Sequence, residues 1–182
     1  IMKDLKKIEF CSSPEGMVIV QMDGKIFNLK ESHHELLQKI ADLISIQYPQ
    51  AWKALGINYK STEGNSWYNL YKKVSRFILC NMGKMDALSF DVDNNILHIE
   101  DISCPIRREC QFNGIICRPK ALNLSKREED VVRMMSHGMT YKEISASLNV
   151  GSSTIKNIIQ NATKRLKLYS SKDLMKIAAA IL

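Results

Sequence analysis

A chain of 182 residues with 45% hydrophobic and 25% charged content is composed like an ordinary globular protein, with room for one large domain or two small ones. No apolar run approaches the roughly 18 residues that cross a membrane, and the opening stretch IMKDLKKIEF has no signal-peptide core, so a cytoplasmic protein with no membrane partner is expected. The formal charge of +7 is uneven: residues 1–119 carry 15 Lys/Arg against 14 Asp/Glu, whereas residues 120–182 carry 11 against 5, which puts the basic excess where a polyanion would be met.

Between Met17 and Leu29 two short apolar runs flank Asp23-Gly24. Asp-Gly suits a type I′ turn, in which both central residues need positive φ, so a hairpin is predicted. Ser32 and Glu35 have the spacing of a capping box that opens a helix through Leu36, Leu37, Ile40, Leu43 and Ile44. His33 and His34 fall in its first turn, where surface histidines are the ordinary reading. Pro49 can start a second short helix, QAWKALG, because proline is accepted at the first helical position. Trp67, Leu70, Tyr71, Val74, Phe77 and Ile78 recur at helical spacing, most simply as core and alternatively as an aromatic cage for a small molecule. Ala87 to Ile102 reads as a second hairpin around Asp93-Asn94-Asn95. Residues 1–103 are therefore expected to form an α+β regulatory domain of two β-hairpins and about three helices.

The connector at 104–120 is rich in cysteine. Cys104, Cys110 and Cys117 fall within fourteen residues, Cys80 ends the preceding aromatic helix, and Cys11 is left over. A cytoplasmic location disfavours disulfides. Three readings remain: reduced, buried thiols acting as small hydrophobes; a structural zinc on Cys80, Cys104, Cys110 and Cys117; or an iron–sulfur cluster on the same four. Zinc sites usually use closer pairs than the C-x5-C and C-x6-C found here, and clusters accept varied spacing. Arg107, Arg108 and Arg118 lie among these thiols and would favour their anions.

Residues 121–182 read as four short amphipathic helices. Ser125 and Glu128 form a capping box ahead of Val131, Val132 and Met135, and Gly138 ends that helix. A second helix follows Thr140 through Ile144 and Leu148. Asn149-Val150-Gly151 turns the chain into a third helix at about 152–167, with Ile155, Ile158, Ile159, Ala162 and Leu166 able to face inward. Lys156, Asn157, Gln160, Asn161 and Lys164 can face outward. A fourth helix starts at Ser171. This is the layout of a helix-turn-helix.

The stretch resembles the LuxR-type (GerE-like) DNA-binding domain of bacterial transcription regulators. The family's opening Leu-Thr-x-Arg-Glu is matched by Leu124, Ser125, Arg127 and Glu128. Its Gly-x-Thr/Ser-x-Lys-Glu-Ile-Ala is matched by Gly138, Thr140, Lys142, Glu143 and Ile144, with Ser145 in place of the alanine. Leu148, Val150, Thr154, Ile155 and Lys156 follow its next segment, and Arg165-Leu166 stand for its Lys-Leu. Gly151, Ile158 and Ala162 depart from the pattern.

The resemblance implies a transcription regulator that inserts the third helix into the major groove of double-stranded DNA, setting Lys156, Asn157 and Gln160 against base edges. Lys142, Ser153, Thr154, Lys164 and Arg165 are the residues expected at phosphates. In the family the fourth helix pairs two copies, so Leu174, Ile177, Ala178 and Ile181 are candidates for a homodimer interface; the same residues could instead close the domain's own core. RNA polymerase is a candidate protein partner, and an alternative function is a protein-interaction module that binds polymerase or a partner regulator without reading DNA. The first 103 residues lack the β/α order and acidic pattern of a phosphoreceiver, and do not resemble an acyl-homoserine-lactone domain. There is no Walker loop, dinucleotide glycine pattern, nucleophile elbow or HExxH, and His98, in an alternating strand, is no base by itself, so no enzyme is expected.

Overall fold

The structure, a computed structural model, describes residues 5–59, 66–84, 89–166 and 168–182. Ala87 and Leu88 of the expected second hairpin, and Lys167 at the end of the expected third helix of the basic region, lie outside the described residues. The chain divides into two compact units, Ile1–Lys120 and Ala121–Leu182. The first is α+β and the second is all helix.

The first unit opens with a three-stranded antiparallel sheet in the order β1 (Glu9–Ser12), β2 (Val18–Met22), β3 (Lys25–Asn28). Asp23 (φ 51°) and Gly24 (φ 72°) make the turn between β2 and β3, closing the Met22–Lys25 pair as the Asp-Gly signal predicts. β1 has no counterpart in the sequence reading. Its four residues take their strand form from pairing Phe10 with Val20 and Cys11 with Ile19, a non-local contact. Phe10, Val18 and Val20 are fully buried, as a period-2 face over a core requires.

Three helices complete that core: α1 (His34–Gln47), α2 (Pro49–Asn58) and α3 (Ser66–Asn81). Pro49 takes the first position of α2, as expected. The Ser32–Glu35 capping box does not form. His33 is the N-cap of α1 and makes no side-chain cap bond; its Nδ1 instead accepts from Lys30 N at 3.1 Å, and Glu35 pairs with Lys39 at 2.6 Å. Leu37, Ile40 and Ile44 from α1 and Val74, Phe77 and Ile78 from α3 are fully buried. Trp67 at the outer end of α3 is 36% exposed and stacks on His34 at 4.1 Å, so only the later part of the aromatic stripe is core.

The second hairpin is shorter than expected, with two residues in each of β4 (Val92–Asp93) and β5 (Ile96–Leu97). Asn94 (φ 48°) and Asn95 (φ 66°) form its turn, a left-handed conformation that asparagine tolerates. Buried Gln47 secures it, donating to Asn95 O at 2.7 Å and accepting from Leu97 N at 2.9 Å.

The second unit comprises α4 (Lys126–Ser136), α5 (Tyr141–Leu148), α6 (Ser152–Arg165) and α7 (Ser171–Ile181). Val131, Ile144, Ile155 and Ile159 form its centre, with Met134, Met135, Leu148, Val150, Ile158 and Met175 packed around them.

Candidate nucleic-acid interface

Local sequence sets each helix of the second unit. Ser125 and Glu128 form the expected capping box at α4. Thr140 and Glu143 form another at α5, and Ser170 and Asp173 a third at α7. The Thr-x-x-Glu spacing at 140–143 is the signal by which the α5 box could have been found. Asn149 ends α5 in the left-handed region, at φ 51° and ψ 49°. The turn is then locked by Ser145, whose carbonyl accepts from Val150 N at 3.1 Å and whose hydroxyl donates to Val150 O. The serine that replaces the family's alanine therefore bonds across the turn.

Gly151 caps α6 without a side-chain acceptor. Ile155 and Ile159 are buried on one side of this helix, as are Ala162 and Leu166, while Lys156, Asn157, Gln160, Asn161 and Lys164 are exposed on the other. Ile158 is half-buried and packs on the core. Ser153 and Thr154 are exposed in the first turn of α6, and Lys142 is exposed in the first turn of α5. None of Lys142, Lys156 and Lys164 forms an ion pair among the described residues.

The Arg-Glu pair of the opening motif has a structural use. Arg127 Nη2 donates to Leu148 O at 3.2 Å, where a cation meets the negative end of α5. Glu128, its side chain 11% exposed, receives Arg165 Nη1 at 2.7 Å and Nη2 at 2.8 Å. Arg165, with the bond to Ser125 assisting, holds the Glu128 carboxyl down to about 2 against the opposing effect of burial. Arg165, expected at a phosphate, thus has both terminal nitrogens engaged by Glu128.

Leu174, Ile177 and Ala178 are buried within the second unit and Ile181 is half-buried. Leu174, Ile177 and Ala178 thus contribute to the domain's own core, and Ile181 keeps part of its surface exposed. Ala179 and Ala180 are the exposed positions beside Ile181.

In the first unit all five cysteines are free thiols: Cys11, Cys80, Cys104 and Cys110 half-buried and Cys117 buried. Residues 104–120, expected as a connector, fall inside this unit. No helix among the described residues is long and apolar enough to cross a membrane.

Residues 122–178 match the family model described as bacterial regulatory proteins, luxR family. No curated protein and no solved structure gives a match. Residues 122–178 are accordingly similar to the domain of luxR-type bacterial regulatory proteins, and α4 to α7 have the layout of a helix-turn-helix.

Proposed function

We propose that the chain is a sequence-specific DNA-binding transcription regulator in which α6 enters the major groove. The observation that carries this reading is the division of α6: Ile155 and Ile159 anchor it in the core while Lys156, Asn157 and Gln160 stand exposed along its outer side. Lysine donates to guanine O6 and N7, and asparagine and glutamine pair with adenine N6 and N7. Lys142 on α5 and Ser153, Thr154 and Lys164 on α6, all exposed, would take phosphates, setting position without reading sequence. The first N–H groups of α6, left without a side-chain cap by Gly151, add donors for a phosphate. Arg165 would serve mainly as the clamp that orients α6. Two copies paired near Ala179, Ala180 and Ile181 would read two half-sites about one helical turn apart.

The test is selection of preferred sequences from a random duplex pool by the full chain and by Lys156→Ala. The wild type should enrich a defined sequence, and the variant should bind DNA while enriching none. Enrichment of the same sequence by Lys156→Ala would remove α6 from the reading role.

A further inference from the structure

We propose that Cys80, Cys104, Cys110 and Cys117 form a four-thiolate site for a thiophilic metal centre in the first unit. Cys80 is the penultimate residue of α3, and the residue after it, Asn81, is fully buried. Asn81 fastens both ends of the segment that holds the other three cysteines. Its carbonyl accepts from Glu100 N at 2.7 Å, its Nδ2 donates to Ile116 O at 2.8 Å, and its Oδ1 accepts from Arg118 N at 2.9 Å. Asp101 pairs with Arg118 across the mouth of the loop. The loop returns to the end of α3 so closely that Cys117 Sγ lies 3.7 Å from Cys80 O.

Within the loop the cysteines stand at successive turns. Cys104 O accepts from Arg107 N at 3.2 Å, Cys110 O from Asn113 N at 3.0 Å, and Cys117 O from Gly114 N at 2.8 Å. The three loop thiols lie near enough to Cys80 to interact with it electrostatically.

Hydrophobic packing accounts only for the end of this loop, where Ile116 and Cys117 are buried. Residues 100–118 contain no helix or strand, a length of irregular chain that a compact domain seldom keeps without a function or a staple. Ile106 and Ile115 are 58% and 43% exposed, and three of the four thiols are only half-buried. The reading of the cysteines as small core hydrophobes therefore suits Cys117 alone. Between Cys104 and Cys110, Arg107 Nη1 is buried without a hydrogen bond, 3.5 Å from Asp101 Oδ1. A negative metal–thiolate centre would add to the charge that Asp101 already sets against this partly buried guanidinium.

As the side chains stand, no three metal-ligating groups among the described residues are arranged to hold one ion. Loading requires rotation of the half-exposed Cys80, Cys104 and Cys110 about their Cα–Cβ bonds, with the backbone already held at Asn81. Ligation replaces each S–H bond with a metal–sulfur bond and releases its proton to solvent, about four protons for one zinc. A single zinc and an iron–sulfur cluster share this ligand chemistry.

The experiment is elemental analysis and visible spectroscopy of the full chain purified without oxygen, followed by stripping under reductant and reloading. Separate reloading arms use zinc, cobalt, and ferrous iron with sulfide. About one zinc per chain, replaceable by cobalt with a thiolate charge-transfer band, supports the site as a zinc clamp. About four irons with sulfide and a brown chromophore support it as a cluster. Protein that takes up metal in none of the arms overturns the proposal. Serine at Cys80, Cys104, Cys110 or Cys117 should abolish loading, and Cys11→Ser should leave it intact; the reverse pattern overturns the assignment. Because a serine variant can fail to fold, alkylation of the loaded wild type is read by mass spectrometry as well. The four thiols should be protected and Cys11 should not, and equal labelling of all five overturns the proposal.

Discussion

Arg165 holds Glu128 by both ends of its guanidinium, Nη1 on Oε1 at 2.7 Å and Nη2 on Oε2 at 2.8 Å. The pair joins the last turn of α6 to the first turn of α4. The same Oε2 accepts from Ser125 N at 2.8 Å, so one carboxylate both caps α4 and sets the angle at which α6 leaves the core.

This pair should give the second unit an acid-sensitive component of stability. Glu128 is held at about 2 in the folded chain against an ordinary 4.5. A depressed carboxylate contributes stability that is fully present above about pH 4.5 and is lost as pH falls toward 2. Glu128→Gln retains the geometry of a capping box and removes the ion pair. With Arg165 48% exposed and partly screened by solvent, the loss should be about 1–2 kcal/mol at neutral pH. The difference between variant and wild type should shrink through that acid window. Urea unfolding followed by far-UV circular dichroism checks it; Trp52 and Trp67 both lie in the first unit, so their fluorescence would not report this domain.

Phosphate and base contacts should separate by salt dependence. Lys142→Ala and Lys164→Ala should weaken binding to every duplex alike and lower the slope of log K against log salt by about 1 each. Lys156→Ala should cost about 1–3 kcal/mol on the preferred sequence. Fluorescence anisotropy over a salt series measures both. An unchanged slope in the two phosphate variants would show that those lysines are only solvated.

Asn149 occupies the left-handed region at the end of α5. Alanine there should destabilise the domain by about 1 kcal/mol, because it keeps the Cβ of asparagine but loses the short polar side chain that makes the left-handed region tolerable, while Asn149→Gly should be near neutral. Thermal melting by circular dichroism distinguishes them, and equal melting of the two variants would show that the turn relaxes out of this conformation.

Asn81 is fully buried, and its side chain bonds to Phe77 O, Ile116 O and Arg118 N. Asn81→Ala leaves those backbone groups unpaired and should cost about 1–3 kcal/mol. It should also free the 116–118 strap, so that Cys117 is alkylated faster. Tryptophan fluorescence during unfolding and the rate of thiol labelling are the two readouts. Unaltered labelling would mean that the loop is held elsewhere.

Sequence alone determined what depends on neighbours within a few residues. The Asp23-Gly24 turn, Pro49 at the head of α2, the Ser125–Glu128 cap and the spacing of the helix-turn-helix are of this kind, because caps and turns close bonds over three or four residues. Tertiary structure decided what depends on residues far apart in the chain. β1 exists as a strand through its pairing with β2. The Ser32–Glu35 spacing is that of a cap, but the cap position at α1 belongs to His33. Arg165 carries the same charge whether solvated or clamped, and only the fold brings Glu128 to it across 37 positions. The apolar face of α7 suited a core or a second copy equally well by composition. Only the fold shows Leu174, Ile177 and Ala178 buried within the second unit, because burial is a property of what packs against a residue and not of the residue itself.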